Sequence, residues 1–209
     1  MNVMERALRW WGPRGGIAQF HRPTGVPGRV AGWIMGRRSS NVTRNRWAVR
    51  LLDIQPSERV LELGCGPGVA VAALAERAAL VVGVDHSAVM IRQARHRNRS
   101  AVRAGRVRLG CASVENLSLR EGTFDAALAV NTLAMWPDPV ARLGELARLL
   151  RPGGRVALVS QPRQPGVTSA AVVEELTGLL AEAGFSRLRT EMLELDPPVV
   201  CVLAFSGGQ

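Results

Sequence analysis

The segment Arg59–Arg77 constrains the fold more than any other stretch of the chain. Val60-Leu61-Glu62-Leu63 is a short, mostly apolar run that stops at Gly64-Cys65-Gly66-Pro67-Gly68. An Ala/Val-rich stretch, Val69–Arg77, follows directly. A run of strand length, closed by a glycine cluster and continued by a helical pattern, predicts a buried strand, a tight turn and a helix. Strands buried on both faces belong to parallel sheets covered by helices.

The downstream sequence repeats that alternation. Leu80–Val84 predicts a second strand, and Ser87 is a good N-cap for a helix through about His96. Arg106–Leu109 and Phe124–Val130 are the third and fourth strands. Asp138-Pro139 opens a helix with a cap and a proline at the first helical position. Val140, Leu143, Leu146, Leu149 and Leu150 fall on its apolar spacing, and Pro152-Gly153-Gly154 ends it. Arg155–Ser160 is the fifth strand, and Ser169–Ala183 is a helix stopped by Gly184. Arg187–Leu195 and Val199–Phe205 are then separated only by Asp196-Pro197-Pro198, too short for a parallel crossover, so they form a hairpin. The last run, apolar on both faces, should lie inside the sheet and antiparallel to its neighbours. The expected fold is α/β: a Rossmann-like, mostly parallel seven-stranded sheet with helices on both faces and an antiparallel last strand.

Composition divides the 209 residues near position 53. Residues 1–52 are Gly/Pro-punctuated and hold ten arginines, one acid and four of the five tryptophans. They are expected to form an N-terminal helical lid segment, with residues 53–209 as the core. All 27 basic residues are arginine, and the net charge of +10 is regional. The second arginine cluster, residues 92–108, has seven arginines and no acid. A solvated basic surface is the first reading of these clusters, and an anionic lipid surface or anionic acceptor the second. Nucleic acid ranks last, because no recognition module is visible. No apolar run approaches the roughly 18 residues of a membrane span, and no secretory signal opens the chain, so a cytoplasmic protein is expected. Cys65, Cys111 and Cys201 lie far apart and offer no metal-ligand spacing.

The glycines of the first turn let a ligand approach the backbone. A nicotinamide or flavin site would want a third glycine at position 69, which is valine. Its pyrophosphate would also sit near Glu62, where a carboxylate repels phosphate and favours a cation. S-adenosylmethionine (SAM) carries an ammonium and a sulfonium and no phosphate. Asp85, at the end of the second strand, can accept both hydroxyls of a ribose, which suits NAD and SAM alike. The terminal hairpin favours SAM.

Four motifs in order over residues 55–160 resemble the class I SAM-dependent methyltransferases. They are Val60–Gly68, Val81-Val82-Gly83-Val84-Asp85-His86-Ser87, Gly122-Thr123-Phe124-Asp125-Ala126-Ala127 and Leu149-Leu150-Arg151-Pro152-Gly153-Gly154-Arg155. The chain is most similar to the ubiquinone/menaquinone-biosynthesis type, with a methyltransferase type 11 domain. The resemblance implies that Glu62 meets the methionyl ammonium and that Gly64, Cys65, Gly66 and Gly68 wall the methionyl and ribose. Asp85 would bind the ribose hydroxyls and His86 pack on adenine. Ser113 and Val114 stand where many members carry Asp-Ala against adenine. Asn131 would approach the methionyl group from the fourth strand. The structural alternatives are a small turn residue for Cys65, a solvated helix start for His86 and a turn cap for Asn131.

The implied activity is methyl transfer to a small-molecule acceptor by in-line displacement. No general base identifies itself. His21 is the remaining histidine candidate and Trp136 a candidate pocket wall, both on the acceptor side. Two alternatives share the fold: a SAM-binding enzyme that catalyses a cyclisation or elimination, and a non-catalytic partner subunit.

Overall fold

The computed structural model describes residues 25–162 and 164–207. Its strands are β1 (Arg59–Leu63), β2 (Leu80–Asp85), β3 (Val107–Cys111), β4 (Phe124–Val130), β5 (Leu150–Ser160), β6 (Phe185–Leu193) and β7 (Val199–Ser206). They form one sheet in the order β3-β2-β1-β4-β5-β7-β6. Strands β1 to β5 pair in parallel, and β7 runs antiparallel to both β5 and β6. The expected class and the buried, reversed last strand are both present. The pattern of β7 explains its place: Val199 to Ala204 are all buried, Leu203 toward one face and Val202 toward the other.

Helices cover both faces. They are α1 (Gly25–Arg37), α2 (Ser39–Leu51), α3 (Val69–Ala75), α4 (Ala88–Arg97), α5 (Arg99–Arg103), α6 (Pro139–Leu149) and α7 (Ser169–Glu182). Alternation along β1 sets the two layers. Val60 packs with Trp47 and Leu52 at α2, Leu74 of α3 and Ile91 of α4. Leu61 and Leu63 pack with Leu143 and Leu146 of α6 and Leu176 and Leu180 of α7. Two caps form as the sequence proposes. Ser87 Oγ accepts from the Met90 N–H at 3.4 Å, and Asp138 Oδ1 accepts from the Ala141 N–H at 3.2 Å.

Several boundaries differ from expectation. Helix α3 ends at Ala75 rather than Arg77, and β6 begins at Phe185 rather than Arg187. The fifth strand starts at Leu150, not Arg155, so Pro152-Gly153-Gly154 lies inside it. The reason is local. Leu150 pairs with Phe124, the register then shifts, and pairing resumes at Arg155 with Ala126. Gly153, at φ 74°, takes up the irregularity.

Helix α2 belongs to the packed interior rather than the surface: Trp47, Ala48 and Val49 are buried in the cluster beneath the sheet. Arg155 ties its C-terminal end down. The guanidinium donates to Leu52 O (2.6 Å), to Asp53 O (2.9 Å) and to both Glu58 oxygens (2.8 and 2.7 Å). Burial opposes ionisation of Glu58, but the Arg155 hydrogen bond and charge and the Gln55 N–H outweigh it and hold its pKa below the usual value. A bidentate pair that also satisfies two carbonyls contributes more than an exposed ion pair. Arg155→Ala is expected to cost about 2–4 kcal/mol, because Glu58 and two carbonyls lose their donor. The same lowered pKa makes the wild type lose this contribution as pH falls through the Glu58 titration, from about 4.5 downward. Urea unfolding at pH 7 and pH 3.5 checks both. The gap between wild type and variant should be large at pH 7 and smaller at pH 3.5.

Candidate cofactor site

Strand order reverses between β2-β1 and β4-β5, and this opens a crevice at the carboxyl ends of β1 and β4 where ligands bind in such sheets. The glycine turn fills its floor. Gly64 and Cys65 both donate their N–H to Val84 O (2.9 and 3.0 Å), and Gly68 N–H closes on Cys65 O (3.0 Å). Three glycines hold positive φ, at 70°, 52° and 76° for Gly64, Gly66 and Gly68. They are required for different reasons. A Cβ at Gly64 would overlap the Thr132 methyl, and one at Gly68 would sit 2.6 Å from Asn98 Nδ2 and 2.9 Å from Ala94. A Cβ at Gly66 would meet nothing within 4 Å. Gly64 and Gly68 thus seat the loop against the protein, whereas Gly66 borders open space.

Two carboxylates face this turn. Asp85 Oδ2 accepts from the Gly66 N–H (2.9 Å) and Oδ1 from the Ser87 N–H (2.8 Å). Each oxygen keeps a lone pair, so the group can still accept two hydroxyls. Burial pushes the Asp85 pKa up, against the Ser87 and Gly66 N–H groups and the nearby His86. Glu62 is more extreme. It is 3% exposed, and its Oε2 has no hydrogen-bond partner. Burial first, and the Asp85 charge second, raise its pKa well above the ordinary carboxyl value. A buried carboxyl with an orphaned oxygen is a costly group unless a donor or cation meets it. The site therefore fits a ligand with a cationic end near Glu62 and a diol near Asp85. It does not suit a pyrophosphate, which would add repulsion to an already strained acid pair.

The remaining expected residues spread around this core. Cys65 is buried beneath the turn, and burial, Glu62 and Asp85 together raise its thiol pKa well above normal, which leaves it unreactive. His86 is exposed at the end of β2, with Nδ1 3.8 Å from Asp85 Oδ1. Ser113 and Val114 follow β3; the Ser113 hydroxyl lies 3.2 Å from Glu115 Oε2, and Val114 packs on the α6–α7 side of the core. Asn131 has φ 55°, and its Oδ1 accepts from the Gln161 N–H at 2.8 Å, a bond between the ends of β4 and β5 rather than a cap on its own turn. Trp136 is 6% exposed within the apolar cluster around Leu61 and Leu63. His21 lies outside the described residues. No group of three or more His, Cys, Asp and Glu capable of holding a metal occurs among the described residues.

Three contributors escaped the sequence reading. Thr132 donates its hydroxyl to Leu63 O at 3.3 Å and so fixes the methyl against which Gly64 must fit. Asn98 donates to Gly68 O (3.1 Å) and Ala94 O (2.8 Å). Arg44 of α2, 4% exposed, donates to Gln161 Oε1 (2.6 Å) and to Asn41 Oδ1. Gln161 in turn donates to Pro197 O (2.6 Å). A partial signal existed for this network: Asn41, Arg44 and Asn45 recur at i, i+3, i+4 on one side of the helix, although Ser39, Ser40, Thr43, Arg46 and Arg50 make other positions polar too.

Comparison with known proteins agrees with this geometry. The family model described as "Methyltransferase domain" matches residues 61–158. The chain is 29% identical over 181 residues to the uncharacterized methyltransferase YdaC of Bacillus subtilis, covering 84% of this chain and 97% of that one. It is 40% identical over 107 residues to a demethylmenaquinone methyltransferase of Corynebacterium kroppenstedtii, covering 51% of this chain but only 43% of the relative. Among solved structures, a SAM-dependent methyltransferase from Aquifex aeolicus superposes with a TM-score of 0.70 at 18% identity, over 85% of this chain and 98% of that one. The cyclase SpnF superposes with a TM-score of 0.71 at 20% identity, over 83% and 85%. Identities this low establish a shared fold. No described helix is long and apolar enough to cross a membrane. The matched domain and the sheet topology agree: residues 61–158 match a methyltransferase domain, and the sheet has the fold of SAM-dependent methyltransferases.

Proposed function

We propose that the chain moves the SAM methyl group to a small-molecule acceptor, and that the cradle around Glu62 and Asp85 holds the cofactor. The supporting observation is the buried, unpartnered Glu62 Oε2 behind a turn whose Gly66 borders open space. In this reading Glu62 receives the ammonium, Asp85 accepts the ribose hydroxyls, and Gly64, Cys65, Gly66 and Gly68 form the wall. His86 covers one adenine face, with Ser113 and Val114 at the adenine edge. Asn131 flanks the methionyl group while its oxygen anchors β5 through the Gln161 N–H.

The bound cofactor supplies an activated methyl on a sulfonium with a neutral leaving group. The chain's task is then to hold the acceptor atom in line, about 3 Å from that carbon, and to exclude water. We assign that cover to residues 1–52, with α2 as its root in the core and Arg44–Gln161 as the tie between root and crevice. His21 and Trp136 are the residues we propose for contact with the acceptor.

The shared fold of the cyclase keeps one other reading open, a SAM-binding enzyme that does not methylate. Incubation with methyl-labelled SAM and a panel of phenols, amines and quinone-like lipids separates the two. Label in an extractable product supports methyl transfer. Tight SAM binding with no labelled product across the panel contradicts it.

A further inference from the structure

Helix α1 carries glycine at every fourth position, and Gly28, Gly32 and Gly36 are all buried. A Cβ at Gly32 would overlap Gln93 and the Met90 methyl, and one at Gly36 would overlap the Arg97 guanidinium. The glycine stripe thus lets α1 lie close against α4. Side chains of α4 clamp it there. Gln93 Nε2 donates to Arg29 O (2.8 Å), and Arg97 donates to Gly36 O (2.8 Å) and Pro67 O (3.0 Å).

The outer face has the opposite character. Val30, Trp33 and Ile34 are 53%, 57% and 43% exposed. Positions 29, 33 and 37 form one row along the helix, so Trp33 has an arginine a turn away on either side. The Arg37 guanidinium lies 4.5 Å from the Trp33 ring centroid.

Docking α1 on α4 also joins the two arginine-rich segments. Residues 25–52 and 86–114 contain no Asp or Glu. Arg29, Arg37 and Arg38 of the α1 segment and Arg92 and Arg99 of α4 and α5 are all exposed, and Arg37 lies close enough to Arg97 to act on its charge. Crowding is felt at Arg97, whose pKa is lowered first by burial and then by the Arg37 charge. An anion beside these guanidiniums relieves that repulsion.

We propose that the outer face of α1, with the neighbouring arginines of α4 and α5, docks on the anionic headgroups of a phospholipid bilayer. Val30, Trp33 and Ile34 enter the interfacial layer, and the arginines hold lipid phosphates. The charge alone would also suit a nucleic acid. The protruding aliphatic pair decides for the bilayer, because phosphate contacts along a polynucleotide leave Val30 and Ile34 in water, whereas an interface buries them. The proposal goes beyond methyl transfer and does not depend on it.

Sedimentation of the full chain with phosphatidylcholine vesicles, with and without about 30 mol % phosphatidylglycerol, tests it. Binding to the mixed vesicles that weakens with salt is expected. Trp33→Ala with Ile34→Ala, and separately Arg29→Gln with Arg37→Gln, should each lower partitioning by about tenfold or more. Unfolding temperature and far-UV circular dichroism of the same preparations verify the fold. On the unaltered protein, hydrogen exchange of residues 25–37 should slow when mixed vesicles are added. Equal partitioning onto neutral and mixed vesicles, unchanged partitioning of the folded variants, unchanged exchange in α1, or tighter binding to a DNA duplex than to mixed vesicles would each overturn the proposal.

Discussion

Glu62→Gln should weaken SAM binding by about 100-fold while making the ligand-free protein more stable at neutral pH. The two effects have one origin. Glu62 is buried, its Oε2 has no partner, and the Asp85 charge adds to the cost of ionising it. An amide removes that cost and also removes the anion that a ligand ammonium needs. The expected gain in the ligand-free state is about 1 kcal/mol, or roughly 2–4 °C in unfolding temperature for a chain of this size. The sign with pH follows from the raised pKa. The folded state binds the Glu62 proton more tightly than the unfolded state. Its contribution is complete below about pH 4.5 and is lost as pH rises through the elevated folded value. The stabilising effect of the substitution should therefore be largest at neutral pH and shrink toward pH 4.5. Calorimetric titration with SAM, paired with thermal unfolding across that range, reads both halves. A variant with lower stability and unchanged affinity would contradict the role given to Glu62.

The second large effect separates two glycines that the sequence cannot tell apart. Gly64→Ala places a methyl in the Thr132 side chain, at φ 70°, and Thr132 is held in place by its own bond to Leu63 O. The expected loss is about 3 kcal/mol or more, the sum of left-handed backbone strain and overpacking. Gly66→Ala meets no neighbour within 4 Å and carries only the strain of φ 52°, about 1–2 kcal/mol. Its methyl points into the open side of the turn, so this variant should fold and yet bind SAM at least tenfold more weakly. Unfolding curves and SAM isotherms for the pair check the contrast. Equal stability losses with intact binding in Gly66→Ala would place the ligand elsewhere.

Much of this architecture was legible because the signals are local. The run Val60–Leu63 ending in glycines, the short Asp196-Pro197-Pro198 connection and the doubly apolar last strand each specify one outcome. The sequence starts β5 five residues late, at Arg155 rather than Leu150, because Pro152-Gly153-Gly154 signals a turn, and only pairing with β4 makes it an irregular strand start. Helix α2 shows the other limit. Composition separates residues 1–52 from the rest, but packing puts Trp47, Ala48 and Val49 into the common core. Arginine content marks a segment as basic and cannot say that Arg44 is buried against Gln161, 117 residues away. At the site, Glu62 and Asp85 were visible from their positions at strand ends. The fit of Gly64 against Thr132 was not, because it depends on two strands meeting.

A crevice with a buried carboxyl at Glu62 should take a cationic aminoacyl group rather than a pyrophosphate. Side-by-side calorimetric titration of the purified chain with SAM and with NAD tests this directly. Saturable one-to-one binding of SAM, with no measurable binding of NAD, is the expected result. Saturable binding of NAD with none of SAM would contradict the assignment of Glu62, Asp85 and the glycine turn.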